Sequence, residues 1–240
     1  MNSSQFWRTK WCGVVSYQQM LQKQFEAAEE VRAHPEKAII FGLEHPNVIT
    51  LGVRGSVIED LQMPQDLLSL EGYDIVPVRR GGQATLHNPG QLVIYPILPL
   101  RHWHIGVRDY VCMLQRATVQ YLARYGVRAW AGTEEPGVYT DRGKIAYFGL
   151  QVSQGVALHG LSINVSNQLS DFQFIRSCGK EKESFDSLIN YNSHLSLMQE
   201  FQLWCHNFSE QFEEKTHPHF CEKVYPSAFD PISDGLEDSQ

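Results

Sequence analysis

The sequence predicts an α/β domain of the α+β kind, built on a mixed sheet over residues 1–215 and followed by an acidic tail at 216–240. Three observations lead there. Short apolar runs suited to strands are interspersed with amphipathic helical segments, in irregular order and without an internal repeat. The 240-residue chain is 42% hydrophobic and 20% charged, a balance that supports one sizeable core and a sheltered site. The longest apolar stretch, from Leu92 to Leu100 with two prolines in it, is half of the ~18 residues a membrane span needs.

Each element follows from local pattern. Residues 18–33 read as a helix that stops at Pro35. The runs 38–43 and 48–51 read as strands, and a helix is expected near 65–70. Residues 74–78 and 91–98 read as strands flanking a glycine-rich turn. Over 107–125, Val107, Val111, Leu114, Val119 and Leu122 recur at helical spacing, and Gly126 supplies the stop. After a turn-rich stretch at 130–137 come extended runs at 138–140, 145–152 and 156–165, the last two separated by a turn at 153–155. A final helix is expected over 195–212. The tail, with Pro218, Pro226, Pro231 and many acids, reads as loosely docked or disordered.

Charge is unevenly spread. The net formal charge is −7, yet between Arg79 and Arg128 there are seven arginines, no lysine and one acid. From Glu210 onward eight acids face Lys215 and Lys223. This distribution disfavours nucleic acid and suits either a solvated face or the steering of an acidic partner. The N-terminal MNSSQFWRTKWCG carries charge but no apolar h-region, so the expectation is a cytoplasmic protein. Its five cysteines, Cys12, Cys112, Cys178, Cys205 and Cys221, match neither a zinc site nor a disulfide framework and read as separate thiols.

Chemistry concentrates in three stretches. In RGGQATLHNPGQLVIYP (80–96), paired glycines permit close backbone approach, and a histidine, a Pro-Gly turn and an amide follow. The stretch reads as a binding edge or as an ordinary tight hairpin. Neither a dinucleotide fingerprint nor a P-loop is present. In GKIAYFGLQVS, strict alternation puts Lys144 on the apolar face of Ala146, Phe148, Leu150 and Val152, where burial would depress its pKa; the competing reading has the ammonium snorkelling to water. In VALHGLSINV, alternation puts His159 with Ala157, Leu161, Ile163 and Val165, which suits a core histidine. Cys178, in IRSCG between Arg176 and Lys180, is the cysteine whose neighbours favour thiolate.

Taken together, RGGQATLHNPGQLVIYP, GVYTDRGKIAYFGLQVSQGVALHGLSINV and IRSCG resemble, in order and spacing, the three signature blocks of the lipoate-protein ligase B family, octanoyl-[acyl-carrier-protein]:protein N-octanoyltransferases. EHPNVITLG (44–52) resembles that family's first strand pair. The resemblance covers about residues 40–180 and implies a single domain like the catalytic domain of lipoate and biotin protein ligases. It implies a Cys178/Lys144 catalytic dyad. It also implies substrate-binding segments at Arg80, Gly81, Gly82, Gln83, Ala84, Thr85, Leu86 and His87, at Tyr147, Phe148 and Gly149, and at Gly160, Leu161 and Ser162, with His159 beside the site. Two positions depart from the family pattern: Asn88, where glycine is usual and where asparagine tolerates positive φ, and Ser177, where proline is usual.

The implied reaction moves an octanoyl group from octanoyl-acyl carrier protein to the lysine ε-amine of lipoyl domains, those of 2-oxoacid dehydrogenases and the glycine cleavage H protein. It runs through a Cys178 thioester with Lys144 as proton relay, and backbone N–H groups near Gly179 and Gly149 would hold the oxyanion. No metal or nucleotide cofactor is implied, because the thioester donor is already activated, and neither nucleic acid nor membrane is an implied partner. Phe148 and Leu161 are expected to line the acyl-chain pocket, and the arginines of 79–128 to meet the acidic carrier. An ATP-dependent lipoate ligase or an amidotransferase of the same fold, and a non-catalytic acyl-carrier-binding module, remain alternatives.

Overall fold

The computed structural model describes residues 6–133, 135–176 and 184–214, with side chains to residue 213. In chain order the elements are β1 (Arg8–Val14), α1 (Tyr17–Ala33), β2 (Ile39–Glu44), β3 (Val48–Leu51), α2 (Val57–Asp60), α3 (Gln65–Leu70), β4 (Asp74–Pro77), β5 (Ala84–His87), β6 (Gln91–Ile97), α4 (Val107–Ala123), β7 (Ala129–Ala131), β8 (Gly137–Thr140), β9 (Gly143–Ser153), β10 (Val156–Asn164) and α5 (Leu197–Glu214). Among the described residues the strands form a seven-stranded mixed sheet, β1-β2-β6-β10-β9-β8-β7, and a three-stranded sheet, β4-β3-β5. The β1–β2 and β3–β4 pairs are parallel and the rest antiparallel.

Side-chain alternation in the central strands builds two cores, one on each face of the large sheet. Leu92, Ile94, Leu161 and Ile163 pack under α4 and α5, with Tyr110, Leu114, Phe201 and Trp204 from the helices. Val93, Tyr95 and Ile97 face the other way and meet Met20, Ala28 and Val31 of α1. Beside α1, the small sheet covers the rest of that second face, its Ile49, Leu51 and Leu86 packing with Tyr147 of β9 and with Phe172 and Ile175. Each fully buried side chain of this kind contributes roughly 1.5–3 kcal/mol relative to exposure. Helix α1 starts at Ser16, whose hydroxyl accepts from the Gln19 amide at 3.4 Å, and ends at His34 ahead of Pro35.

Elements β3 and α3 coincide with their predicted spans, and the other long elements lie within two residues at each end. Strand β5 was hidden in the predicted glycine-rich turn: ATLH pairs antiparallel with β3, and the turn proper is Arg80–Gln83. Edge strands β1 and β7 and the one-turn α2 also lie outside the predicted set. At the 153–155 turn, Gln154 and Gly155 take positive φ (50° and 86°), as a tight hairpin requires.

The expected placement of Lys144 is overturned by a bulge. Val138 pairs with Ala146 but Tyr139 pairs with Lys144, so Ile145 is an extra residue in β9. Ile145 and Ala146 both enter the core beneath α4, and parity resets between them. Lys144 consequently lies with Tyr147 on the small-sheet face, its Nζ 5.0 Å from that ring, rather than on the face of Ala146, Phe148 and Leu150. Of the two readings of its side chain, the structure shows burial rather than an ammonium snorkelling to water: Lys144 is 2% exposed.

Candidate active site

The second face of the large sheet brings the three chemistry-bearing stretches together. Gly149 of β9 pairs with Gly160 of β10, and the Arg80–Gly82 turn lies over them, with the Gly81 amide donating to the Leu150 carbonyl at 2.8 Å. A Cβ on Gly149 would stand 2.8 Å from Arg80 Cδ, and one on Gly160 would stand 2.2 Å from the Ile94 carbonyl oxygen, so neither position has room for a side chain. Arg80 is buried and donates through Nε and one Nη to the Thr50 hydroxyl (3.1 and 2.8 Å), through the same Nη to the Thr50 carbonyl (2.8 Å), and through the other Nη to the Gly81 carbonyl (3.0 Å). The guanidinium thereby locks the glycine turn to β3.

Three buried histidines surround this arginine. His87 Nδ1 lies 2.6 Å from Gln91 Oε1, and Gln91 spends its amide N–H groups on the carbonyls of Asn164 and Leu86. Nδ1 of His87 therefore carries the proton and donates. His45 donates from Nδ1 to the Val15 carbonyl at 2.6 Å and accepts at Nε2 from the Tyr95 hydroxyl at 2.9 Å. His159 Nδ1 meets the Tyr17 hydroxyl at 3.3 Å, and the Tyr17 ring stacks between His87 and His159. Burial, reinforced by the Arg80 charge at His87 and His159, pushes His87 down to about 3 and His45 and His159 down to about 4. All three are neutral near pH 7.

The expected orientation of His159 is also overturned. The register of β10 on β6, Leu161 with Ile94, puts His159 opposite Pro96, which has no N–H to give. The ladder breaks there. His159 takes φ 57°, its amide donates to Gln24 Oε1 of α1 at 2.7 Å, and its ring turns toward Tyr17 and Tyr95 instead of joining Ala157 and Leu161.

Lys144 stands at the start of β9 with Nζ 3.7 Å from Glu135 Oε2 and within 5.5 Å of the Tyr139 ring centroid. Its backbone is bonded on both sides of the peptide to a later segment: the Lys144 amide donates to the Ser184 carbonyl (2.8 Å), and the Asp186 amide donates to the Lys144 carbonyl (3.0 Å). Gly143 makes this approach possible, since a Cβ there would stand 2.2 Å from Ser184 O. Cys178 and Ser177 lie outside the described residues, as do Gly179 and Cys221. The chain entering that stretch is held by Arg176, whose amide donates to the Asp60 carbonyl at 2.7 Å, and Asp60 accepts from Gln83 of the Arg80 turn at 3.2 Å.

Of the predicted site residues, Arg80, Gly81, Gly82, Gln83, His87, Lys144, Tyr147, Gly149 and His159 gather on this one face, along β5, β9 and β10. Ser162 pairs with Tyr147 and is buried, while Ala84, Thr85 and Leu86 build β5. Phe148 and Leu161 depart from expectation: they pair with each other but belong to the core beneath α4 and α5, on the opposite face from Arg80 and His87. Asn88 departs too. It keeps negative φ, Gly90 takes the positive value (89°), and the Asn88 amide donates to Gln168 O and Asp171 Oδ2. The arginine-rich middle is dispersed rather than a single patch: Arg80 is buried in the site, whereas Arg108 and Arg116 ride on α4 behind the sheet and Arg124 caps its C-terminal end. Cys112 and Cys205 are buried in helices, as their spacing indicates. Tyr17, Gln24, His45, Thr50, Tyr95 and Asp186 were not among the predicted site residues; His45, beside a proline within EHPNVITLG, and Gln91, the amide after the Pro-Gly turn, carried a local signal.

A profile of the lipoyl protein ligase A/B catalytic domain matches residues 16–208. The octanoyltransferase of Solibacter usitatus is 40% identical over 170 residues, covering 71% of this chain and 77% of that protein. That of Chromobacterium violaceum is 34% identical over 172 residues, covering 72% and 80%. The octanoyltransferase of Halorhodospira halophila is 41% identical over 150 residues, and this chain spans 66% of its length, just under two thirds. Among solved structures, a lipoate protein ligase of T. acidophilum with bound lipoic acid superposes with a TM-score of 0.71 at 15% identity, covering 86% of both chains. Lipoate-protein ligase A bound with ATP gives 0.67 at 14% identity, covering 86% of this chain and 85% of its own. These two establish a shared fold, and the sequence matches establish more: the chain belongs to the lipoyl protein ligase A/B catalytic-domain family, alongside its octanoyltransferases.

Proposed function

We propose that this chain transfers an octanoyl group from octanoyl-acyl carrier protein to a lysine ε-amine of lipoyl domains, by way of a Cys178 thioester. The observation that carries the reading is Lys144. It is an amine buried between two tyrosine rings, and its backbone is hydrogen-bonded to Ser184, six residues after Cys178. Identity of 34–41% to three octanoyltransferases supports the substrate class.

In the first half-reaction Lys144 takes the Cys178 thiol proton and the thiolate attacks the donor carbonyl. The C–S bond to the carrier breaks, and the departing carrier thiolate receives the proton from Lys144. In the second half-reaction the acceptor amine attacks octanoyl-Cys178, Lys144 removes the amine's proton, and that proton returns to the released Cys178 sulfur. Arg80, His87 and the Gly81–Gly82 turn shape the acyl end of the site, with the charged guanidinium pinned to Thr50 and Gly81 and His87 held neutral against Gln91. Activation resides in the thioester, so the reaction calls for no nucleotide. Residues up to about 215 form the catalytic unit, and the acidic tail is dispensable for turnover.

Intact-protein mass spectrometry tests this. Wild type mixed with octanoyl-acyl carrier protein is expected to gain one octanoyl mass that hydroxylamine removes and an added lipoyl domain discharges; Cys178→Ser gains none, and Lys144→Met gains it at least about a hundredfold more slowly. Transfer that appears only with ATP and free octanoate would overturn the reading in favour of a ligase. No transfer under either condition would make the chain a binding module.

A further inference from the structure

Asp186 is fully buried and has no part in the chemistry proposed above, and its carboxylate is satisfied by four donors. Its Oδ2 accepts from the Thr140 hydroxyl of β8 and from the Tyr191 hydroxyl, the latter at 2.7 Å. Its Oδ1 accepts from the Ser187 amide and from Asn190 Nδ2, both at 2.8 Å. Its own amide donates to the Lys144 carbonyl, and its carbonyl accepts from Asn164 Nδ2 at 3.0 Å. Asn164 in turn accepts from Gln91, the residue that fixes the His87 tautomer.

We propose that Asp186 is a positioning residue for Lys144: its carboxylate pins residues 184–187 along Lys144 and couples the lysine, through Asn164 and Gln91, to His87. The argument is geometric. Lys144 sits just ahead of the bulge at Ile145, where the β8–β9 ladder is interrupted and gives its backbone less support than a regular strand would. On the other side of β9, where pairing with β10 stops at Ala146, residues 184–186 bond both the Lys144 amide and its carbonyl. What holds that segment in place is a carboxylate with four donors, and charge-assisted bonds of this kind are about twice as strong as neutral ones. Burial alone would raise the Asp186 pKa, but the bonds from Thr140, Tyr191, Asn190 and Ser187 outweigh it and hold the carboxyl below its ordinary value. Among the described residues, charged groups near this assembly include Glu135, beside Lys144 Nζ, and Arg142, over the Tyr191 ring at 5.3 Å.

The inference rests on the proposed role of Lys144, and the experiment separates the two. Asp186→Asn keeps the size but turns an amide N–H2 toward two hydroxyls; Tyr191→Phe and Thr140→Val each delete one bond while leaving the carboxylate. In steady-state octanoyl transfer, Asp186→Asn is expected to lower kcat about tenfold to a hundredfold with the donor KM within about twofold, since a misplaced reacting group costs turnover more than binding. Tyr191→Phe and Thr140→Val are expected to lower kcat by smaller factors, and in all three the pH at half-maximal kcat moves by about half a unit or more as the surroundings of Lys144 change. Wild-type kcat and pH profile in Tyr191→Phe and Thr140→Val, at a temperature where circular dichroism shows them folded, would overturn the proposal even if Asp186→Asn fails to fold. Cys178→Ser and Lys144→Met are measured alongside: if they retain transfer the dyad itself is wrong, whereas if they lose it while the Asp186 set behaves as wild type, the positioning role alone is wrong.

Discussion

Gly160 has a backbone oxygen where any other residue would put its Cβ, 2.2 Å away at Ile94. Backbone in the middle of a sheet cannot yield as a side-chain tip can, so Gly160→Ala is expected to destabilise the protein by about 2–3 kcal/mol, read as a lower urea midpoint at unchanged m. Much of the described site is legible at this scale by residue type: paired glycines, a histidine after them and a lysine opening a strand are all visible in the chain. Direction is what the sequence hides. Lys144 and His159 both face the way opposite to strict alternation, one because Ile145 is an inserted residue in β9, the other because Pro96 leaves its partner without an N–H. Alternation assumes an unbroken ladder, and a break in the ladder is set by the neighbouring strand, which the local pattern does not record.

At the scale of elements, α1 does more than cover the sheet. Gln24, buried near its middle, supplies the acceptor for the His159 amide at the break in β10. Gln24→Ala leaves that amide unpaired in the interior at a cost of about 1–3 kcal/mol. Hydrogen exchange is expected to report it as faster exchange confined to β10 around His159, and uniform loss of protection would contradict the local role. The long amphipathic helices and the wholly apolar strands were legible because their own residues carry the periodicity. Strands β1 and β7 were not, since RTKWCGV and AWA lie at the sheet edges, half-buried or exposed, with burial decided by their partners. Strand β5 was masked by the glycines that precede it, and its pairing with β3 is a long-range property.

For the molecule as a whole, the buried histidine cluster makes stability depend on pH. His45, His87 and His159 titrate lower in the fold than the ~6.5 of an unfolded chain, so the unfolded state takes up more protons as pH falls. Their contribution is complete above that value and is lost progressively below it, down to about 4 for His45 and His159 and about 3 for His87. At pH 5 the loss is about 2 kcal/mol for each histidine. Urea unfolding at pH 7, 6 and 5 is expected to show the fall, with a shallower pH slope in His45→Gln; equal slopes would mean that His45 is not neutral in the fold. Charge at this scale resisted reading from the sequence, because the fold sends one arginine of the 79–128 run inside and sets others on α4 behind the sheet.

Trp7, ahead of the first strand, packs against Phe208 and Phe212 of the last helix, with ring centroids 5.1 Å apart in both pairs. The core beneath α4 is thus closed by the two extremes of the described chain, and α5 also lays Phe201 against Gly42 of β2, where a Cβ would stand 2.4 Å from the ring. A nascent chain that has not yet reached α5 has that half of its interior open to water, however much of the sheet has already paired. Folding of this domain therefore completes only once synthesis has passed α5, and contacts of such sequence separation make the final docking slow compared with helix formation.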